Sequence, residues 1–255
     1  MIPKIIHYCW FGGNPLPELT LKCIDSWKEF CPDYEIIRWD ESNTDLNEND
    51  YIREAYENRK WAFITDYVRL KVLYEQGGVY MDTDVQVCKS LDPFLDNSAF
   101  SGFENDHQIP TGIMASEAGH PFFKRLLKYY DGRHFVKEDG SFDQKTNVET
   151  ITEIGSENGF MPNDTLQTVC GMTFYPHDYF CPKSHVTGEI HTTENTVCIH
   201  HFDGSWKTDE EIKNIQISQR LNSKYGKLGG FMYKLYKYGL HPKVLIERIK
   251  QGSPK

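Results

Sequence analysis

Several features are scarce or absent in this sequence of 255 residues, and each absence argues against a class of protein. The seven cysteines form no C-x-x-C pair, which disfavours a zinc ribbon or thioredoxin-type motif and predicts reduced thiols in a cytosolic protein. No apolar run approaches the roughly 18 residues of a membrane-spanning helix, and the start does not resemble a signal peptide. Positive charge is scarce, and a net charge of −9 argues against a general nucleic-acid-binding protein.

The most informative stretch that is present runs from Ala62 to Val85. Apolar residues recur at helical spacing in its first half, and Gly77-Gly78 ends this predicted helix. Val79–Met81 has the β-branched and aromatic character of a buried strand, and Asp82 and Asp84 follow directly. Because open α/β sheets bind ligands at the carboxyl ends of their strands, we expect the two carboxylates to line a site.

Strand-like and helix-like segments alternate along most of the chain, which predicts an α/β domain over residues 1–225. Residues 226–255 form a predicted basic, aromatic-rich helical tail. From Lys224 onward the chain carries eight Lys or Arg residues and a single acid, Glu247. Two interpretations of the tail stay open: a helix packed on the domain with solvated lysines, or an amphipathic helix on an anionic membrane face.

The aspartate pair is the first candidate for chemistry. Residues i and i+2 of a strand point the same way, so Asp82 and Asp84 can hold a hard divalent cation such as Mg²⁺ or Mn²⁺. A solvated acidic turn is the plainer interpretation of a lone D-x-D. Two bare carboxylates beside an apolar strand need compensation, however, and this favours the metal site.

Two further groups have a structural and a functional interpretation. Asp66 and Arg69 lie three residues apart on the predicted helix and share a face, as a surface ion pair or as partners of a ligand's hydroxyls. The segment from His200-His201 to Ser205-Trp206 is compatible with a third metal ligand plus donors to phosphate. A histidine satisfied within the core is the alternative for either ring.

Three motifs in order resemble the sugar transferases that carry the DXD motif, glycosyltransferase family 32. The first is IPKIIHYCWFGG at 2–13, the second joins TDxxR at 65–69 to GGVYMDTD at 77–84, and the third is HHFDGSW at 200–206. The family is related to the yeast-type initiating α-1,6-mannosyltransferases, and glucosylating domains of large clostridial toxins carry a similar set. The resemblance implies a GT-A type fold, which is a Rossmann-like mixed sheet with flanking helices.

The resemblance also implies a UDP- or GDP-sugar donor, a Mn²⁺ or Mg²⁺ cofactor, and retention at the anomeric carbon. By position, Trp10 would stack on the nucleotide base, and Tyr80 would lie near the diphosphate. The full set of implied donor-binding residues is Trp10, Thr65, Asp66, Arg69, Tyr80, Ser205 and Trp206.

The same resemblance implies a catalytic and metal-binding set. The implied catalytic residues are Asp66, Asp82 and Asp84, and the implied metal ligands are Asp82, Asp84 and His201. The histidine doublet leaves open whether His200 or His201 faces the metal. No residue stands out as a covalent nucleophile, so we expect front-face attack in which the leaving phosphate takes the acceptor's proton.

The sequence therefore predicts a retaining, metal-dependent glycosyltransferase for capsule or cell-surface polysaccharide. Its expected acceptor is a glycan or lipid-linked glycan. The long stem of the eukaryotic relatives is not visible, which predicts a bacterial-type enzyme in the cytoplasm, peripheral at the inner face of the plasma membrane. Two rivals are a metal-dependent phosphohydrolase with Asp82 as nucleophile and a non-catalytic carbohydrate-binding protein.

Overall fold

The computed structural model describes residues 1–204 and 207–237. Within these residues the chain forms two compact units. The first comprises residues 1–182 and 192–204, and the second comprises residues 183–191 and 207–237. The predicted boundary after residue 225 stays a prediction, and the part of the predicted tail from 238 onward lies outside the described residues.

The first unit is built on a mixed sheet of seven strands in the order β2-β1-β3-β6-β5-β8-β7. β1 runs parallel to β2 and β3, and β5 runs parallel to β8, whereas β6 is antiparallel to both of its neighbours. A smaller sheet pairs β4 with β9 in antiparallel orientation. The strands are β1 (Ile5–Cys9), β2 (Glu35–Trp39), β3 (Gly78–Met81), β4 (Val85–Val87), β5 (Ala99–Gly102), β6 (Ile113–Ser116), β7 (Gln167–Val169), β8 (Met172–Tyr175) and β9 (Cys198–His200).

Helices flank this sheet, which confirms the predicted α/β class. The helix predicted between Ala62 and Gly77 is present and begins one residue earlier, at Trp61. The helices are α1 (Glu18–Phe30), α2 (Asp50–Glu57), α3 (Trp61–Gln76), α4 (Pro121–Lys128), α5 (Asn147–Glu157) and α6 (His177–Phe180) in the first unit, and α7 (Asp209–Tyr225) and α8 (Lys227–Lys237) in the second.

The glycine pair after α3 has two separate functions. Gly77 ends the helix with φ +69°, a left-handed conformation that side chains disfavour. Gly78 opens β3, and a Cβ there would lie 2.8 Å from the carbonyl oxygen of Ile5 on β1. The pair thus stops α3 and lets β3 approach β1 closely, so that the aspartates emerge from the middle of the sheet.

β3 is buried on both faces, which decides where its side chains point. Val79 and Met81 join the apolar cluster that contains Trp27 of α1. Tyr80 points to the other cluster, which contains the apolar face of α3. A continuous apolar strand with alternating partners is expected in the centre of a sheet covered by helices on both sides. Tyr80 therefore lies on the same side as α3 and its polar residues.

The second unit is a pair of helices with a short additional segment. α7 begins with a capping box between Thr208 and Glu211. α8 exposes large apolar side chains, with Leu228 59% and Phe231 46% accessible. Among the helices of the described residues, none has the length and apolar character needed to cross a bilayer.

Candidate metal and donor-binding site

The two aspartates lie in the turn that leads from the large sheet into the small one. The Asp82 amide donates to the Gly112 carbonyl at 2.8 Å, and its own carbonyl accepts from the Val85 amide at 3.0 Å. β4 then pairs with β9 so that Val85 lies opposite His200. This register brings His200 to the aspartates, and one ligand atom from each of Asp82, Asp84 and His200 lies within 4.8 Å of the others.

The partly buried Asp84 and the buried His200 form an ion pair. The Nε2 atom of His200 lies 3.3 Å from Oδ1 of Asp84, and the Asp203 amide donates to Oδ2 at 2.7 Å. Burial alone would raise the pKa of Asp84, but His200 and the Asp203 amide hold that pKa below its usual range. Burial alone would lower the pKa of His200, but the Asp84 carboxylate raises it well above its usual value. A metal ion at this position would therefore replace a proton.

His201 points away from this pair, which differs from the expectation that it supplies the third ligand. Its Nε2 atom lies 3.0 Å from Oε1 of Gln86, while its backbone amide donates to the Asp84 carbonyl at 2.9 Å. Successive side chains of an extended segment point to opposite faces, so only one ring of the doublet can face the aspartates. The structure places His200 there.

Arg69 is the buried cation behind the carboxylates. Its Nη2 lies 3.1 Å from Asp66, and its Nη1 lies 3.1 Å from Oδ1 of Asp82 and donates to the Thr111 carbonyl at 2.7 Å. Asp66 and Arg69 are only 9% and 5% exposed, so the predicted helical pair is not a surface ion pair. A buried charge without a partner is costly, so Arg69 must keep both Asp66 and Asp82 close to it. Arg69 therefore connects α3 to the end of β3.

Tyr80 completes the contacts of Asp82. Its hydroxyl donates to Oδ1 of Asp82 at 2.9 Å, and the Arg69 guanidinium carbon lies 4.7 Å from the centre of its ring. Burial raises the pKa of Tyr80 well above its usual value, so the phenol stays protonated and donates. Asp82 is therefore oriented by two donors on one oxygen.

Asp66 is held through its backbone as well as its side chain. Burial raises the pKa of Asp66 to about 6, with Arg69 opposing the shift and Asp82 adding to it. The side-chain amide of Asn147 donates to the Asp66 carbonyl at 2.7 Å and accepts from the Tyr130 hydroxyl at 2.9 Å. Nothing in the local pattern at the start of α5 predicted this contact, because it joins segments that are far apart in the chain.

Two other predicted donor-binding residues, Trp10 and Thr65, form hydrogen bonds with residues close to them in the chain. Trp10 follows β1 partly exposed, and its Nε1 donates to the Asn14 carbonyl at 2.7 Å. The Thr65 hydroxyl donates to the Trp61 carbonyl within α3 at 3.1 Å. Their donor contacts stay predictions. Ser205 and Trp206 lie outside the described residues.

The donor set fits a divalent cation. Two carboxylates and one imidazole converge in a partly buried position, and these are ligand types that Mn²⁺ and related ions accept. Asp82 and Asp84 are part-exposed, so the cluster leaves an open side toward solvent. An open side is what a catalytic ion needs, because substrate oxygens must complete its coordination.

The central part of the chain matches a family model. Residues 17–101 match the model described as "Glycosyltransferase sugar-binding region containing DXD motif". This region includes α3, β3 and both aspartates. The predicted likeness to DXD-type glycosyltransferases is therefore confirmed, and the sheet with its acidic turn agrees with the GT-A type of fold.

The chain is also similar to curated yeast proteins that are named for mannosyl transfer or mannosyl lipid synthesis. Inositol phosphoceramide mannosyltransferase 3 of Schizosaccharomyces pombe is 34% identical over 131 residues, which cover 50% of this chain and 36% of the relative. The mannosyl phosphorylinositol ceramide synthase SUR1 of Saccharomyces cerevisiae is 33% identical over 151 residues, which cover 53% of this chain and 37% of the relative. The match thus spans little more than a third of the length of these relatives.

Two solved structures illustrate more distant similarity. The galactosyltransferase LgtC, crystallised with donor and acceptor sugar analogues, has 15% identity and a TM-score of 0.45, with 83% of this chain and 95% of that chain covered. The PaToxG glycosyltransferase has 17% identity and a TM-score of 0.44, with coverage of 59% and 66%.

Proposed function

We propose that this chain is a retaining, metal-dependent glycosyltransferase that moves a sugar from a nucleotide-sugar donor to a glycan or lipid-linked acceptor. The observation that carries the proposal is the convergence of Asp82, Asp84 and His200 at the carboxyl end of β3. Asp82 and Asp84 lie within the segment that matches the DXD sugar-binding region, and His200 reaches them through the pairing of β9 with β4.

The residues of the cluster have separate tasks in this reaction. Asp82, Asp84 and His200 would hold the ion, and Arg69 and Tyr80 orient the Asp82 carboxylate. When bound, a divalent ion acts as a Lewis acid that neutralises charge developing on the leaving diphosphate. The acceptor oxygen bonds to the anomeric carbon as the sugar–phosphate bond breaks, and the acceptor's proton goes to the leaving phosphate.

The surroundings of Asp82 do not favour the phosphohydrolase alternative. One of its oxygens accepts hydrogen bonds from Arg69 and Tyr80, and such donors reduce the nucleophilicity of a carboxylate. Asp84 is engaged by His200 and the Asp203 amide. These contacts support a metal-ligand role for both aspartates over a nucleophilic role for Asp82.

The ligand types favour Mn²⁺ as the cofactor. Mg²⁺ demands oxygen ligands in near-ideal octahedral geometry, whereas an imidazole nitrogen is a ligand of transition-metal ions, the class to which Mn²⁺ belongs. With His200 in the set, we infer that Mn²⁺ supports higher activity than Mg²⁺. The sequence alone had left these two ions equivalent.

The names of the yeast relatives narrow the substrates to test first. Both are named for mannose and for inositol-containing ceramide lipids, so we infer a mannosyl donor and a glycolipid acceptor. Polysaccharide of a capsule is the alternative acceptor. Leu228 and Phe231 are exposed among the lysines of α8, which supports contact with an anionic membrane. We therefore propose a cytoplasmic location, peripheral at the inner face of the plasma membrane.

A donor screen tests the proposal. UDP- and GDP-linked hexoses are incubated with the full chain, with Mn²⁺, Mg²⁺ or EDTA, and release of nucleoside diphosphate is measured with and without an inositol-containing sphingolipid. We expect release from one donor, faster with Mn²⁺ than with Mg²⁺ and abolished by EDTA. Release from no donor would contradict transferase activity, and a trapped phosphoenzyme would indicate the phosphohydrolase instead.

A further inference from the structure

Two consecutive residues just before β6 contact several parts of the proposed metal site. The Thr111 carbonyl accepts from Arg69 at 2.7 Å, and the Gly112 carbonyl accepts from the Asp82 amide at 2.8 Å. Gly112 also lies directly against the imidazole of His200. This short segment therefore contacts the buried Arg69, the backbone of Asp82 and the ring of His200, although none of its own atoms is a predicted ligand.

The space beside Gly112 is filled by the His200 ring. A Cβ at position 112 would lie 2.7 Å from both Cε1 and Nδ1 of His200 and 3.2 Å from its Cγ. Real Cβ contacts below 3.0 Å essentially do not occur, so one of the two groups would have to move. The ring has little room, because it is buried and packs against Phe202 with ring centres 4.1 Å apart.

The backbone of Gly112 does not itself require glycine. Gly112 is not among the residues with positive φ, so an alanine could adopt its conformation. The reason for glycine at this position is therefore steric, and the group that needs the space is the imidazole. The Cys181 thiol also interacts with the His200 ring, so the ring is contacted by Asp84, Cys181 and Phe202 as well as by Gly112.

The segment is itself anchored to the large sheet. The hydroxyl of the fully buried Ser101 on β5 donates to the Ile113 carbonyl at 2.9 Å and approaches the Pro110 carbonyl at 3.4 Å. Because these contacts lie on either side of Gly112, the glycine cannot easily shift to make room for an added Cβ. The movement would fall on His200.

We propose that Gly112 is a positioning residue of the metal site: its missing side chain leaves the space in which the His200 ring turns Nε2 toward Asp84. This inference rests on the proposed function, since it assigns a role within the same metal site. It adds a residue of a different kind, which acts through His200 and contacts neither metal nor substrate. Tuning of metal ligands by such surrounding residues typically changes affinity by about 10- to 100-fold.

The test measures binding of Mn²⁺ alone, without substrate. Mn²⁺ is titrated into the wild type, Gly112→Ala, His200→Ala and the double variant, and free Mn²⁺ is read from its EPR signal. We expect Gly112→Ala to weaken Mn²⁺ binding about 10-fold in the wild type and to have no further effect once His200 is alanine. Gly230→Ala on α8 is the matched control and should bind Mn²⁺ as the wild type does.

Each other outcome contradicts a definite statement. If Gly112→Ala binds Mn²⁺ with wild-type affinity, Gly112 has no positioning role, but the metal site is unaffected. The same conclusion follows if Gly112→Ala weakens Mn²⁺ binding equally when His200 is already alanine. A wild type that does not bind Mn²⁺, or an Asp84→Ala variant that binds it equally well, would overturn the metal site and this inference together. If Gly112→Ala fails to fold, recovery of folding in the double variant supports the steric contact, and no recovery overturns it.

Discussion

Replacing Asp84 by alanine is expected to lower donor turnover by at least about 10³-fold while the protein stays folded. A metal ion stabilises a developing charge by several kcal/mol, and about 4 kcal/mol corresponds to a thousandfold in rate. The variant loses one of three convergent ligand groups. The fold should survive because His200, without its ionised neighbour, can become neutral rather than remain a buried unpaired charge.

This expectation is checked by kcat/KM for nucleoside diphosphate release at saturating Mn²⁺, together with circular dichroism and thermal unfolding. Asp96→Asn, at an exposed position of the same unit, is a suitable control and should retain wild-type kinetics. Wild-type turnover of Asp84→Ala would show that the metal assignment is wrong.

Replacing Arg69 by methionine is expected to lower the free energy of unfolding by about 3 to 5 kcal/mol. Methionine roughly retains the length and apolar stem of arginine but leaves the carboxylates of Asp66 and Asp82 without their shared buried cation. The Thr111 carbonyl loses its donor as well. Denaturation with urea, followed by circular dichroism, measures the change.

Two further variants separate the loss of charge pairing from the loss of the side chain. Arg53→Met removes a surface arginine that pairs with Asp50 and Glu57, and surface pairs of this kind contribute little to stability. Adding Asp66→Asn to Arg69→Met removes one uncompensated carboxylate and should restore part of the stability. A loss in Arg69→Met as small as that of Arg53→Met would refute the buried cation as a stabilising partner.

The acidic turn, and the helix and strand that precede it, could be predicted because their sequence signals are local. The helical spacing of α3, the glycine stop and the apolar strand before Asp82 are all contained in one continuous stretch. The same spacing placed Asp66 and Arg69 on one face of the helix. It could not show that both are buried, because their burial depends on how Tyr80 packs back against α3 and on the segment before β6, which is distant in the chain.

Local sequence patterns could not identify the histidine ligand or the residues that support the metal site. The choice of His200 over His201 depends on the register of β4 against β9, which a sequence of two adjacent histidines does not specify. Gly112 looks like any residue at the start of a short strand until the His200 ring is seen against it. Asn147 is similarly informative only once it is found beside the Asp66 carbonyl.

The most direct test of the metal site is anomalous diffraction from crystals of the full chain grown with Mn²⁺ and a nucleoside diphosphate. We expect an anomalous peak within bonding distance of Asp84 and His200 and next to Asp82, with the diphosphate completing the coordination. A Mn²⁺ ion bound by His201, or located away from all three of Asp82, Asp84 and His200, would contradict the account.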